Sequence, residues 1–119
     1  MKGIQQAVVQ VVGGLNTLMA LAGFASGGLL LWFHVNLLHN FIHLVMGLVG
    51  LWAGFAQKGK YAQDYNLWLG ATYLMIVVLS VIAPQAMMNL LAINQADNVL
   101  HLTMGVVLAA VGFYGVEKR

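Results

Sequence analysis

Apolar residues run through this chain in long blocks, and charge interrupts them at only a few places. Residues 3–57, 65–96 and 98–116 contain no Asp, Glu, Lys or Arg. A hydrocarbon core about 30 Å thick needs about 20 apolar residues per helical crossing. The first block accommodates two spans with a connection, the second one span and a loop, and the third one span. Helices are therefore predicted near residues 4–24, 35–56, 64–83 and 95–115, separated by Gly27-Gly28, the Gln57–Lys60 segment and Pro84. The predicted fold class is all-α integral membrane: a four-transmembrane-helix bundle making a single domain over residues 1–119.

The two remaining connections, Phe24–Val35 and Pro84–Asn94, are themselves apolar at Leu29–Phe33 and Met87–Ile93. They are expected to lie in the membrane interface. Lys2, an apolar stretch and Ala20-Leu21-Ala22 have the outline of a cleavable signal. Gln5, Gln6, Gln10 and Asn16 break that stretch, so it reads as the first span.

Periodicity within the spans reveals an internal repeat. The segment from Asn36 through His39, Asn40, His43 and Met46 to Gly47 matches that from Asn94 through Asp97, Asn98, His101 and Met104 to Gly105. The offset is 58 residues, and it continues to Gly54-Phe55 and Gly112-Phe113. Earlier in each half, Gly14 with Leu18-Met19 corresponds to Gly70 with Leu74-Met75 at an offset of 56. Each unit is two spans, so the halves, about 1–58 and 59–119, are parallel repeats related by an axis along the membrane normal.

Helical spacing puts Asn36, Asn40, His43, Gly47, Gly50 and Gly54 on one stripe, with Asn94, Asn98, His101, Gly105 and Gly112 as its counterpart. Small residues at such spacing let helices approach closely in lipid. The second and fourth spans are accordingly expected to face each other, with Gly47, Gly54, Gly105 and Gly112 as packing positions. Gln6, Gln10, Gly14 and Thr17 suggest the inward stripe of the first span, and Asn66, Gly70, Tyr73 and Ser80 that of the third.

Composition removes whole classes of function. The chain is 61% hydrophobic and 7% charged, with a mean hydropathy of +0.86. Soluble domains average roughly 45–50% and about 25%. A soluble enzyme, a disordered tail and a nucleic-acid-binding domain are excluded. With no cysteine there is no disulfide and no thiol chemistry. The five basic residues, Lys2, Lys58, Lys60, Lys118 and Arg119, all fall at the termini or the middle connection. Four spans bring those places to one side, which the positive-inside rule makes cytoplasmic.

The two Asn-x-x-(His/Asp)-Asn-x-x-His-x-x-x-Gly segments near the starts of the second and fourth spans resemble a family of small four-span bacterial membrane proteins of unknown function. The similarity extends from Gly14 to Gly112. It implies a four-helix membrane domain and brings no activity with it. The expected location is a bacterial cytoplasmic (inner) membrane or a photosynthetic internal membrane.

The polar stripe admits three readings. In the structural one, Asn36 and Asn94 are helix N-caps, and Asp97 occupies the acidic position of a capping box. His43 and His101, about 10 Å deeper at 1.5 Å per residue, then hydrogen-bond reciprocally to Asn98 and Asn40. In the cofactor reading, His43 and His101 are axial ligands to haem b, or one of them holds the magnesium of chlorophyll. In the metal reading, His39, His43, Asp97 and His101 surround zinc, iron or manganese. His34, beside Trp32 and Phe33, reads as interfacial.

Catalytic motifs fail on context. Gly54-x-x-x-x-Gly59-Lys60 has the outline of a phosphate loop, but Tyr61 replaces the required Ser or Thr and a helix precedes it instead of a strand. Asp64 and Glu117 sit at the membrane boundary and make no acid pair within a span. The chain is therefore expected to be a non-enzymatic accessory or structural subunit of a larger membrane complex, photosynthetic or respiratory. A haem-, chlorophyll- or metal-binding redox protein is the alternative. Its expected partners are lipid and other integral-membrane subunits, and no nucleic acid.

Overall fold

The computed structural model describes residues 2–30 and 33–115. Leu31, Trp32, Glu117, Lys118 and Arg119, invoked above, lie outside the described residues. Among the described residues, four helices are long and apolar enough to cross a membrane. These are α1 (Lys2–Ser26), α2 (Leu37–Phe55), α3 (Ala62–Ile82) and α5 (Gln95–Tyr114). A fifth, α4 (Pro84–Leu91), was not legible as a helix. Its eight residues are too few to show a period convincingly, although Pro84 takes the first-turn position where a missing N–H costs nothing. Between α1 and α2 the chain turns at Gly27 and Gly28, with φ of +74° and +115°. It then forms a short antiparallel ribbon, β1 (Leu29–Leu30) with β2 (Phe33–His34). A tight turn, Ala56–Gly59, with Gln57, Lys58 and Gly59 all at positive φ, joins α2 to α3.

Helix α1 packs along α2, and α3 along α5, so each sequence repeat is one helical hairpin. The glycine stripes make these pairings possible. A Cβ on Gly13 would lie 2.7 Å from the backbone N of Leu51, and one on Gly47 would lie 2.5 Å from the backbone N of Thr17. In the second hairpin a Cβ on Gly70 would lie 2.8 Å from the backbone N of Ala109. Gly105 and Gly112 lie against Leu74 and Leu67. Gly54 lies against Gln10, whose Nε2, like that of Gln6, donates to the Gly54 carbonyl at 2.9 Å.

This corrects two expectations. Gly47, Gly54, Gly105 and Gly112 are taken up within their own hairpins, so α2 and α5 do not face each other through them. The seam between the halves runs mainly along α1 and α3. Gly14 is also not at the interface: a Cβ there meets nothing within 4 Å, and Gly13 takes the place assigned to it. One residue along a helix is a turn of about 100°, and the offset between the first and third spans shifts accordingly.

Polar bonds stitch the seam. Asn66 Nδ2 donates to the Gln5 side chain at 2.9 Å, and the Tyr73 hydroxyl donates to Asn16 Oδ1 at 2.9 Å. Tyr65 crosses to α2, its hydroxyl donating to the Met46 carbonyl over Gly50. Gln5 Nε2 also donates to the carbonyls of Val111 and Gly115, which brings the start of α1 and the end of α5 to one end of the bundle. Around Val12, Leu69, Tyr73 and Leu108 the interior is apolar. Large side chains such as Trp68, Val81 and Phe113 are more than 70% exposed, as lipid-facing positions require.

Candidate metal centre

At the end of the bundle opposite the start of α1 and the end of α5, α2 and α5 begin with the same device. Asn36 Oδ1 accepts from the His39 N–H at 2.8 Å, and Asn94 Oδ1 accepts from the Asp97 N–H at 2.9 Å. Asp97 Oδ2 accepts from the Asn94 N–H at 2.9 Å, closing a capping box, and its carboxylate also accepts from the His34 backbone N–H. Asn36 does more than cap. Its Nδ2 donates to the Leu90 carbonyl at 3.0 Å, one of the carbonyls that the end of α4 leaves without an intrahelical partner. Asn36→Ala should therefore destabilise the protein by about 2 kcal/mol, a cap plus a hydrogen bond. Asn94→Ala, which removes the acceptor of the Asp97 N–H, should cost at least about 1 kcal/mol. Chemical denaturation in detergent measures both, and an unchanged stability of Asn36→Ala would show that neither its cap nor its tether to α4 carries energy.

The neighbouring orphan carbonyl, Leu91, serves His39. His39 Nδ1 lies 2.9 Å from it. A carbonyl only accepts, so Nδ1 carries the hydrogen and Nε2 presents its lone pair. One helical turn on, His43 stacks edge-on against His39 with ring centroids 4.5 Å apart. His101 arrives from α5, its centroid 6.0 Å from that of His39 and 6.5 Å from that of His43. Tyr73 lies flat against His101 at 5.2 Å. All three imidazoles are buried, and a ligating nitrogen from each lies within 4.8 Å of the others.

The reciprocal Asn–His bonds do not form. His43 Nδ1, His101 Nδ1, Asn40 Oδ1 and Asn98 Oδ1 are buried without a hydrogen-bond partner. Asn40 instead packs its amide against Gly23 of α1, and Asn98 borders a cleft beside Ser80 and Gln85. Nor does Asp97 join the histidines: the converging set is His39, His43 and His101, because the carboxylate is held at the helix start. Spacing within α2 identified His39 and His43 as neighbours. That His101 meets them, and that Tyr73 and Leu91 hold the cluster, depends on how the hairpins dock.

All three rings line a cavity of about 20 Å³, room for one water or ion. A bond of about 2.0–2.1 Å from each nitrogen to a central ion needs ring movements of about an ångström from this arrangement. A macrocycle held between His43 and His101 would have to pass the His39 ring, whose centroid lies 4.5 Å from that of His43 and 6.0 Å from that of His101.

Four long apolar helices enclosing a buried cluster of imidazoles define a four-span helical membrane protein. The chain belongs to the family described as Domain of unknown function (DUF4383), whose model matches residues 3–114. No curated protein and no solved structure matched it.

Proposed function

We propose that this is a membrane-embedded metal-binding protein that holds one ion through His39, His43 and His101. The observation that carries the proposal is the convergence of three buried imidazoles, two of which leave Nδ1 without a hydrogen-bond partner. An unsatisfied buried polar atom costs about 1–3 kcal/mol, and a bound cation relieves that cost. Imidazole suits zinc, iron and copper alike. The role is binding, with no catalytic step assigned. Metal analysis of the protein purified from membranes without chelator tests it: one ion per chain is expected, and a metal-free chain that takes up none on reconstitution would refute it.

A second reading is favoured by the breadth of uncovered apolar surface. Only 28–39% of each span's most apolar window is buried within the chain. Such surface suits an accessory subunit docked in a larger photosynthetic or respiratory complex as well as it suits lipid. Native electrophoresis after mild solubilisation distinguishes them, because an accessory subunit migrates with its host.

In either case we orient the molecule with both termini and Lys58–Lys60 in the cytoplasm, following the basic residues. The membrane is then a bacterial cytoplasmic or photosynthetic internal one, and the histidines lie toward its outer face. Cysteines introduced at Gly27 and Gln85 should react with an impermeant maleimide added outside intact cells. Reaction only after permeabilisation would reverse the topology.

A further inference from the structure

We infer that the ion is copper in its monovalent state, with the thioether of Met46 as a fourth, soft donor beside the three imidazoles. This rests on the three-histidine reading and narrows it to one ion.

Charge is the first argument. The site offers only imidazoles, and Asp97, held in the capping box, is not among the converging ligand atoms. The cost of moving an ion out of water rises with the square of its charge, so a divalent ion incurs roughly four times the penalty of a monovalent one. Zinc, iron or manganese would enter this apolar pocket as an uncompensated divalent charge. Monovalent copper meets the smallest penalty of the metals that imidazole favours.

Donor chemistry is the second. Of the cavities beside these rings, the one of about 20 Å³ touches all three histidines, and Met46 lines it with them. Thioether sulfur selects monovalent copper over the harder divalent ions. Met46 lies three residues beyond His43, so the two side chains share a helical face. The repeat carries the same His-x-x-Met pair at His101 and Met104. Met104, however, lines the adjoining cavity of about 80 Å³, which His39 does not reach. The asymmetry makes Met46 the donor and Met104 its control.

The test uses the full chain, purified in detergent and stripped of metal. Under anaerobic conditions it is titrated with Cu(I) against a chromophoric Cu(I) chelator, and separately with Zn(II) and Co(II). X-ray absorption at the copper edge then reads the donor set of the wild-type protein. We expect one Cu(I) per chain, bound at least 100-fold more tightly than Zn(II), with nitrogen neighbours and one sulfur. Met46→Leu conserves volume and should remove the sulfur and weaken Cu(I) binding at least tenfold. Met104→Leu should do neither. Tighter binding of Zn(II) or Co(II) through the same histidines would overturn the assignment to copper and leave the three-histidine site standing. Cu(I) binding with no sulfur neighbour would overturn the role of Met46, and that reading needs no variant to fold. Failure of every metal to bind in a His39-, His43- and His101-dependent way would overturn both the inference and the site.

Discussion

Replacing Gly47 by alanine should disrupt the first hairpin, while the same change at Gly14 should leave the protein as stable as before. The two glycines lie on the two hairpin helices and are indistinguishable by composition. At Gly47 the new methyl would press on the side chain of Thr17 and lie 2.5 Å from its backbone N. Backbone cannot swing aside as a long side chain can, so α1 and α2 must move apart along their length. In lipid, close packing is what holds helices together, and overpacking of this kind costs on the order of 3 kcal/mol. At Gly14 nothing lies within 4 Å of the added carbon. Gly105→Ala should fall between them, because its nearest neighbour is the Leu74 side chain, which can rotate, with the backbone N of Leu74 farther off at 3.2 Å. Unfolding of the three variants in mixed detergent micelles measures the order. Equal stability of the Gly47 and Gly14 variants would show that the helices do not meet where described.

Adding the bound metal at 100 times its dissociation constant should raise the stability of the wild-type protein by about 2.7 kcal/mol. His39→Gln, His43→Gln and His101→Gln should each abolish that gain. Each removes one of the three imidazole ligands, and even changes in the shell beyond the ligands weaken metal sites by roughly 10–100-fold. An amide of similar reach keeps the volume filled, so the metal-free variants should fold. His43→Gln and His101→Gln should lose little stability in the absence of metal, because His43 Nδ1 and His101 Nδ1 have no partner to lose. Asp97→Asn supplies the contrast: it should weaken the start of α5 and leave the metal affinity unchanged, because Asp97 is not among the converging ligand atoms. Asn98→Ala and Asn40→Ala should likewise leave metal binding intact, since neither side chain bonds a histidine. Thermal shift with and without metal reads all of these. A metal-induced gain that survives in any histidine variant would remove that residue from the ligand set.

The spans and caps were readable along the chain because each depends on residues close in sequence. An uncharged stretch that crosses a bilayer is a local property, and so is an Asn whose side chain reaches the N–H three residues on. The repeat was readable for a related reason: a hairpin folded twice leaves its pattern twice. Asn66, Gly70, Tyr73 and Ser80 were assigned to one inward face and are all buried. The short helix α4 was not legible, because eight residues give too few turns for a period to stand out from an apolar run.

What pairs with what was decided by the tertiary structure. Gly47 and Gly105 announce close helix contacts, but sequence spacing says only that a neighbour comes near, not which one. Each glycine has a partner within its own hairpin, and the seam between hairpins is left to longer side chains such as Gln5, Tyr65 and Tyr73. That docking decides the fate of the polar stripe. It carries Asn40 toward Gly23 and away from His101, keeps Asp97 at the helix start, and lets α4 offer the Leu91 carbonyl to His39. By itself the sequence determined the membrane class, the four spans and the residues able to hold an ion, since these follow from local hydropathy and side-chain chemistry. Only the tertiary structure decided that His39, His43 and His101 meet without Asp97, because that depends on how two glycine-zipped hairpins lie against each other.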